Sequence, residues 1–350
     1  MFIHAVATAP APHRYEQDAL IAAFLENWSK VHHNSRRVEQ LHRAVRVGGR
    51  NLALPMEDYP SLNFGAANDA FIRVGTDIGA EAVSRALEEA GLRPRDLDAI
   101  YFTTVTGVAA PSIDARLCNR LGLRDNIKRV PMFGLGCVAG AAGISRLADY
   151  LRGWPDHVAV LLSVELCSLT LQRADLSIPN LIASGLFGDG AAAVVASGRP
   201  SAGPHPGPEV IATESRFYPD TERVMGWDVG EGGFRIVLSA EVPDMVDRHV
   251  VSDVDGFLAR QGLSRADIAS WVCHPGGPKV LEAFERCLRL PPDALALTWR
   301  SLEAVGNLSS ASVLHVLRDT LIERRPPSGS YGLMLAMGPG FCSELVLLRW

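Results

Sequence analysis

Apolar and polar positions along this chain follow two periods, and the switches between them mark out its elements. Ile78, Val83, Ala86, Leu87 and Ala90 fall on one face at helical spacing, which predicts an amphipathic helix over 76–90. The string IYFTTV that follows reads as a strand, with a helix after it from about 112 to 121. VAVLLSVELC (158–167) is almost continuously apolar, as a strand covered on both faces would be. LIASGLFGDGAAAVVA (181–196) reads as a helix or loop entering a turn and then a second buried strand. Strands are expected near 209–238 and a long helix from about 243 to 261. The first sixty residues predict one strand and then helical segments with an arginine-rich patch: Arg36, Arg37, Arg43, Arg46 and Arg50. Such a patch suits a solvated helix face or a clamp for a phosphorylated ligand.

The Gly/Pro/Ser-rich run SGRPSAGPHPGP (197–208) divides the chain into segments 1–200 and 201–350. GLRPRDLDAI, beginning at Gly91, has a counterpart in GLSRADIASW at Gly262, each preceded by a predicted helix and followed by an apolar strand. At nearly the same offset, Gly136-Cys137 aligns with Gly306-Asn307, and small residues and an amphipathic helix follow both. This order predicts a duplication: two α/β halves packed face to face, each around a mostly parallel sheet. Cys137 and Asn307 would then occupy equivalent corners that meet at one site.

With 350 residues, 47% hydrophobic and 21% charged, the chain can bury one large core or two ordinary ones. A net charge of −5 gives no general attraction to nucleic acid, and the lysines are only Lys30, Lys128 and Lys279. The six cysteines form no C-x-x-C pair and no zinc-like spacing, which suggests a reduced, intracellular setting. The N-terminus lacks the basic-then-apolar pattern of a signal peptide. The longest apolar run, around 157–171, contains Glu165 and is bounded by Asp156 and Arg173, too short and polar for a membrane span. A soluble cytoplasmic protein is expected.

Candidate chemistry centres on GLGCVAGAAG (134–143), where Cys137 stands between strand-formers and a helix. Unpaired N–H groups at a helix start favour a thiolate, although a packed core cysteine fits the same segment. His274 ends the strand ASWVC and opens the tight turn HPGGP, and by itself suits a structural role equally well. Together with Asn307 these residues suit one chemistry. A thiolate accepts an acyl group from a thioester, and two neutral donors stabilise the enolate left when a malonyl thioester loses carbon dioxide. No metal, flavin or nicotinamide cofactor is needed.

GLGCVAG, FGDGAAA (187–193), HPGGP (274–278), GNLSSAS (306–312) and AMGPGF (336–341) resemble the type III polyketide synthases, the chalcone and stilbene synthase superfamily. The resemblance covers nearly the whole chain. TVTGVAAPS, SVELCSLT and ELVLLRW are most similar to bacterial alkylpyrone and alkylresorcinol synthases. The family implies a thiolase-like α/β fold of two duplicated halves in an αβαβα layering. It also implies Cys137 as nucleophile, with His274 and Asn307 as its catalytic partners. Phe187 resembles a gatekeeper between the coenzyme A tunnel and the cavity, and is otherwise a core aromatic. A second gatekeeper position, counted back from Pro243, falls on Ile236, while a phenylalanine stands at Phe234. Cys167 and Thr170 would line the cavity, Trp227 would wall it, and Ala110 would reach across a homodimer interface. Lys279 and Gly277 would lie near the pantetheine arm, with Arg37 and Arg43 toward coenzyme A phosphates.

The activity implied is iterative condensation of malonyl-CoA onto an acyl-CoA starter, a medium or long fatty acyl, with closure to an alkyl α-pyrone or alkylresorcinol. Alternatives are a type III synthase with an aromatic or malonyl starter, and a ketoacyl synthase III. The latter normally has a His-Gln-Ala-Asn string where this chain has HPGGP. A dehydrogenase would rest on GLGCVAG alone, and a silent scaffold has no need of the three residues together.

Overall fold

The computed structural model describes residues 1–28, 35–200 and 207–350. The middle of the Gly/Pro-rich run, where the boundary between the two predicted segments falls, lies outside the described residues. The first half runs β1 (Phe2–Pro10), β2 (His13–Glu16), α1 (Gln17–Trp28), α2 (Ser35–Ala44) and β3 (Gly49–Leu52). It continues with α3 (Phe64–Glu89), β4 (Ala99–Thr104), α4 (Ile113–Leu121) and β5 (Lys128–Phe133). Then come α5 (Ala139–Gly153), β6 (Val158–Leu166), α6 (Ile178–Leu186) and β7 (Asp189–Ser197). The second half runs β8 (Glu209–Phe217), β9 (Met225–Gly230), β10 (Gly233–Leu238), α7 (Val242–Arg260) and β11 (Ile268–Cys273). It ends with α8 (Pro278–Leu288), α9 (Ala296–Val305), α10 (Ser312–Glu323), β12 (Tyr331–Gly338) and β13 (Cys342–Arg349). Helix α3 starts well before the predicted position 76, because Asn63 caps it by accepting from Ala66 N at 2.9 Å.

A nine-stranded sheet has the order β11-β12-β13-β8-β1-β7-β6-β4-β5. Its two sides repeat one pattern. β4 is parallel to β6, β6 antiparallel to β7, and β7 antiparallel to β1. In the same way β11 is parallel to β12, β12 antiparallel to β13, and β13 antiparallel to β8. The mostly parallel sheets expected from the duplicated α/β order are therefore mixed, with antiparallel pairs at the centre. Continuous apolarity signals burial on both faces, and helices cover both faces here whatever the strand direction.

Alternate residues of each strand enter different cores. On β6, Leu161 points to a central core with Ile144 and Leu147 of α5 and Val313 and Leu317 of α10. Its neighbours Val160 and Leu162 meet Phe71, Val83 and Leu87 of α3 on the outer side. In the second half α7 and α8 cover the outer face through Val246, Phe257, Leu281 and Phe284. The layers are thus helix, sheet, helix, sheet, helix. No helix among the described residues is long and apolar enough to cross a membrane.

The central helices approach closely because α5 begins with small residues. A Cβ on Gly140 would stand 2.4 Å from the Ser310 carbonyl oxygen and 2.6 Å from a Val313 methyl. We expect Gly140→Ala to force α5 from α10 and cost about 1–3 kcal/mol, read as a lowered urea midpoint at unchanged m-value.

Candidate active site

The chain leaves β5, turns through Gly136–Val138 in a single 3-10 turn, and enters α5. Cys137 sits in that turn, 6% exposed. The second half repeats the device, with Asn307 leading into a 3-10 turn at Ser309–Ala311 and then α10. Asn307 N donates to the Leu186 carbonyl at 2.9 Å, and Gly188 N donates to the Asn307 carbonyl at 3.0 Å. These bonds make a parallel bridge between Phe187 and Asn307. Gly306 permits it: φ is +75°, and a Cβ there would lie 2.6 Å from the Leu186 oxygen.

The Asn307 side chain is fixed at both ends. Its Oδ1 accepts from Ser309 N at 2.8 Å, and its Nδ2 donates to the Gly276 carbonyl at 3.2 Å. The Cys137 thiol faces the Ser309 hydroxyl at 3.8 Å, and Asn307 also hydrogen-bonds the sulfur. His274 directly follows β11, is 3% exposed, and its N donates to the Leu335 carbonyl at 2.9 Å. Gly276, which takes the Asn307 amide, also donates its N–H to the His274 carbonyl at 2.9 Å. Both His274 ring nitrogens are buried without a partner among the described residues. A buried imidazole left unpartnered marks a functional position better than a packing one.

Burial dominates the electrostatics. It pushes the Cys137 thiol up to about 12, against the lowering effect of Ser309 and Asn307, and pushes the His274 imidazole down to about 3. The thiolate expected from the helix start is not what this environment favours in isolation. Desolvation of a sulfur this deep exceeds the pull of a few N–H dipoles. Burial disfavours a charge on either group.

Behind the thiol lies a carboxylate whose role the chain pattern did not reveal. Glu165, at the end of β6, is fully buried. It accepts from Val105 N at 3.1 Å, from the Thr106 hydroxyl at 3.0 Å and from the Ser310 hydroxyl. Ser310 also pairs with Ser163 at 2.7 Å. The carboxyl thereby ties β4 and β6 to the turn that presents Ser309 and Asn307. Burial raises it to about 7. The one sequence signal was an acidic residue inside an otherwise apolar strand.

Two cavities adjoin the site. The smaller, about 40 Å³, is lined by Cys137, Thr106, Ser309, Pro339 and the β9–β10 hairpin. The larger, about 120 Å³, runs beneath α1, α2 and α6. Cys167, Phe187, Trp227 and Ile236 line both, so the two meet at these side chains. Trp227 and Ile236 are a cross-strand pair in that hairpin. Phe234 instead packs on Phe64, with ring centroids 5.6 Å apart, and lines neither cavity. Thr170 lines the larger one.

Other expected residues fall elsewhere. Ala110 is exposed and lines neither cavity, because the Ala110–Pro111 loop points out of the protomer. Lys279 and Gly277 stand at the start of α8, outside both cavities, with Lys279 exposed. Arg37 is exposed on α2, and Arg43 is paired with Glu39 and Asp18, each at 2.9 Å. From the same stretch, His42 and Arg50 do line the larger cavity, as do Tyr59 and Ser168, none of which residue types or spacing singled out for that wall. Among the described residues no group of His, Cys, Asp and Glu is placed to hold a metal ion.

A carboxyl raised by burial binds its proton more tightly in the folded than in the unfolded chain, so stability falls as pH rises between about 4.5 and about 7. Glu165→Gln removes this slope, on the order of 3 kcal/mol across the window. Urea midpoints at pH 5 and 7.5 should therefore differ less in the variant than in the parent.

Residues 36–200 match the N-terminal domain of the chalcone and stilbene synthases, and residues 209–350 match the C-terminal domain. The chain is 54% identical to a 1,3,6,8-tetrahydroxynaphthalene synthase of Streptomyces peucetius subsp. caesius, over 99% of this chain and 93% of that protein. It is 34% identical to a putative chalcone synthase of Bacillus subtilis, over 91% of each. Among solved structures, the bacterial type III polyketide synthase 1,3,6,8-tetrahydroxynaphthalene synthase of Streptomyces coelicolor A3(2) superposes with a TM-score of 0.94. That match has 28% identity and covers 100% of this chain and 99% of the other. The layered fold and these matches lead to one assignment: the chain belongs to the chalcone and stilbene synthase family, the type III polyketide synthases, which are acyl-transferring condensing enzymes.

Proposed function

We propose that this type III polyketide synthase uses malonyl-CoA both to prime and to extend its chain, releasing a polyhydroxylated aromatic compound. The observation that carries this reading is the 54% identity to a tetrahydroxynaphthalene synthase over 99% of the chain. A tetrahydroxynaphthalene has no alkyl branch, so its skeleton needs no fatty starter. Its ring closure also requires the first-laid carbon to act as a nucleophile. Loss of carbon dioxide from a β-keto carboxylate leaves an enolate at that carbon, whereas a methyl ketone must first be deprotonated, which favours a malonyl over an acetyl start.

Cys137 is the proposed acyl carrier. Its proton passes to His274, the sulfur attacks the starter thioester carbonyl, and the C–S bond to coenzyme A breaks, the released thiolate taking a proton back. Malonyl-CoA then loses carbon dioxide, and the electron pair of the broken C–C bond becomes an enolate. Its oxygen is held by N–H donors of neutral His274 and of Asn307. The enolate carbon attacks the acyl-Cys137 carbonyl and expels the Cys137 thiolate. The unpartnered imidazole and the Asn307 amide beside the Cys137 sulfur support these roles. No bound cofactor enters the sequence of steps. Lys279, Gly277 and Arg37 remain our proposal for the coenzyme A side. Free cysteines fit a cytoplasmic location, and the edge strand β5, with Phe133 53% exposed, suits pairing in a homodimer.

A second reading keeps the fatty acyl starter and an alkyl α-pyrone or alkylresorcinol product. It is favoured by the apolar part of the larger cavity: Leu20, Phe24, Met56 and Leu171. Labelled malonyl-CoA, supplied alone and then with lauroyl-CoA, separates the two. We expect an unalkylated aromatic product from malonyl-CoA alone, and a product formed only with lauroyl-CoA present overturns the malonyl start. Asn307→Ala should slow both malonyl-CoA decarboxylation and product formation about 10²–10³-fold, followed by carbon dioxide release. His274→Ala should move the pH profile of iodoacetamide inactivation at Cys137 to higher pH, and an unmoved profile would show that the imidazole does not take the thiol proton.

A further inference from the structure

Arg50 is the buried guanidinium of the larger cavity wall, 5% exposed on β3. Its Nη1 donates to the Phe187 carbonyl at 2.6 Å, and its Nε is buried without a partner. Asp189, the carboxylate whose charge acts on it, does not neutralise it by contact. Asp189 accepts instead from Ala53 N at 2.6 Å, from Ser168 N at 2.8 Å and from the Ser168 hydroxyl. Among the described residues no ion pair joins the two. Burial draws the guanidinium down to about 10, which still leaves it charged at neutral pH. A buried guanidinium in a cavity wall, with its Nε unpartnered, is suited to an anion. Arg173 also lines this cavity, but it is exposed and donates to the Pro60 carbonyl.

We propose that Arg50 binds the free carboxylate at the far end of a malonyl-primed chain, after that end has passed Phe187, Cys167, Trp227 and Ile236 into the larger cavity. The inference rests on the malonyl-primed reading above and names the residue that selects for it. Pairing with a guanidinium stabilises the carboxylate, and loss of carbon dioxide would take the charge away from its partner. Arg50 thus protects the starter's carboxylate while extender units lose theirs at His274 and Asn307, and keeps it in place until ring closure, when its loss as carbon dioxide leaves the electron pair on the terminal carbon. A fatty starter would place a methyl end against the same charge, so Arg50 also discriminates against it.

The test is a starter competition. Parent, Arg50→Gln and Arg50→Lys proteins receive malonyl-CoA with hexanoyl-CoA, and unalkylated and alkylated products are separated by mass. We expect Arg50→Gln to shift the product ratio at least tenfold toward the hexanoyl-primed compound and Arg50→Lys to restore part of it. An unchanged ratio with lower total turnover overturns the proposal and assigns Arg50 to supporting the Phe187 carbonyl. Should Arg50→Gln not fold, the parent protein decides. Succinyl-CoA and butyryl-CoA have similar chain lengths, and a several-fold preference for the carboxylated starter is expected, while equal use overturns the carboxylate site. Parent protein that makes nothing from malonyl-CoA alone fails at the earlier step and overturns malonyl priming itself.

Discussion

Two backbone hydrogen bonds, Asn307 N to the Leu186 carbonyl and Gly188 N to the Asn307 carbonyl, join the halves of this enzyme beside the thiol. They set the depth of the Asn307 amide against Cys137 and, through the same residues, the position of Phe187 between the two cavities. Gly306 supplies the backbone conformation, and Arg50 holds the Phe187 carbonyl from below. The proposed donor and the cavity constriction are thus parts of one junction. A disturbance of either strand end reaches both, as expected where positions must hold within a few tenths of an ångström.

The price of that arrangement is desolvation. Cys137, His274 and Glu165 are all buried, and each has its charged form opposed by its surroundings. For a reaction through an enolate the same dryness is useful: a carbanion equivalent is quenched by water, and neutral donors act more strongly on it in a low dielectric. Neutral histidine is the state the proposed reaction needs, since it would donate to the enolate without protonating it outright. Glu165 takes no direct part in this chemistry. It is placed to hold the hydroxyls of Thr106 and Ser310, and so the turn carrying Ser309 and Asn307, in one arrangement.

Cavity shape divides the labour. In the proposed reaction carbon–carbon bonds form in the small chamber at Cys137, and the growing chain extends past Phe187, Trp227 and Ile236 into the larger one. The larger wall is mixed, apolar along α1 and Met56 but polar at Arg50, Tyr59 and Ser168. A polyketone chain, with a carbonyl at every second carbon, suits such a wall better than a hydrocarbon does.

Much of this was legible along the chain. Cys137, His274 and Asn307 stand out because each lies where a strand or helix ends among glycines, and small residues must follow where two helices are to meet at the centre. The duplicated order of GLRPRDLDAI and GLSRADIASW marked the repeated α/β unit, since a unit with the same apolar faces packs in the same way twice. Strand direction was not legible, because continuous apolarity reports burial and not polarity of the chain. Nor was the lining of the larger cavity. His42 and Arg50 belong to an arginine-rich stretch whose neighbours Arg37 and Arg43 face solvent, and only the packing of α2 and β3 against α6 decides which side chain turns inward. The sequence by itself determined the α/β class, because periodicity specifies it, and the family, because five motifs resemble one, and it singled out Cys137, His274 and Asn307 as candidates. The protonation preferences, the constriction at Phe187 and the buried cation were decided by tertiary structure, because desolvation and distance exist only once the distant segments have met.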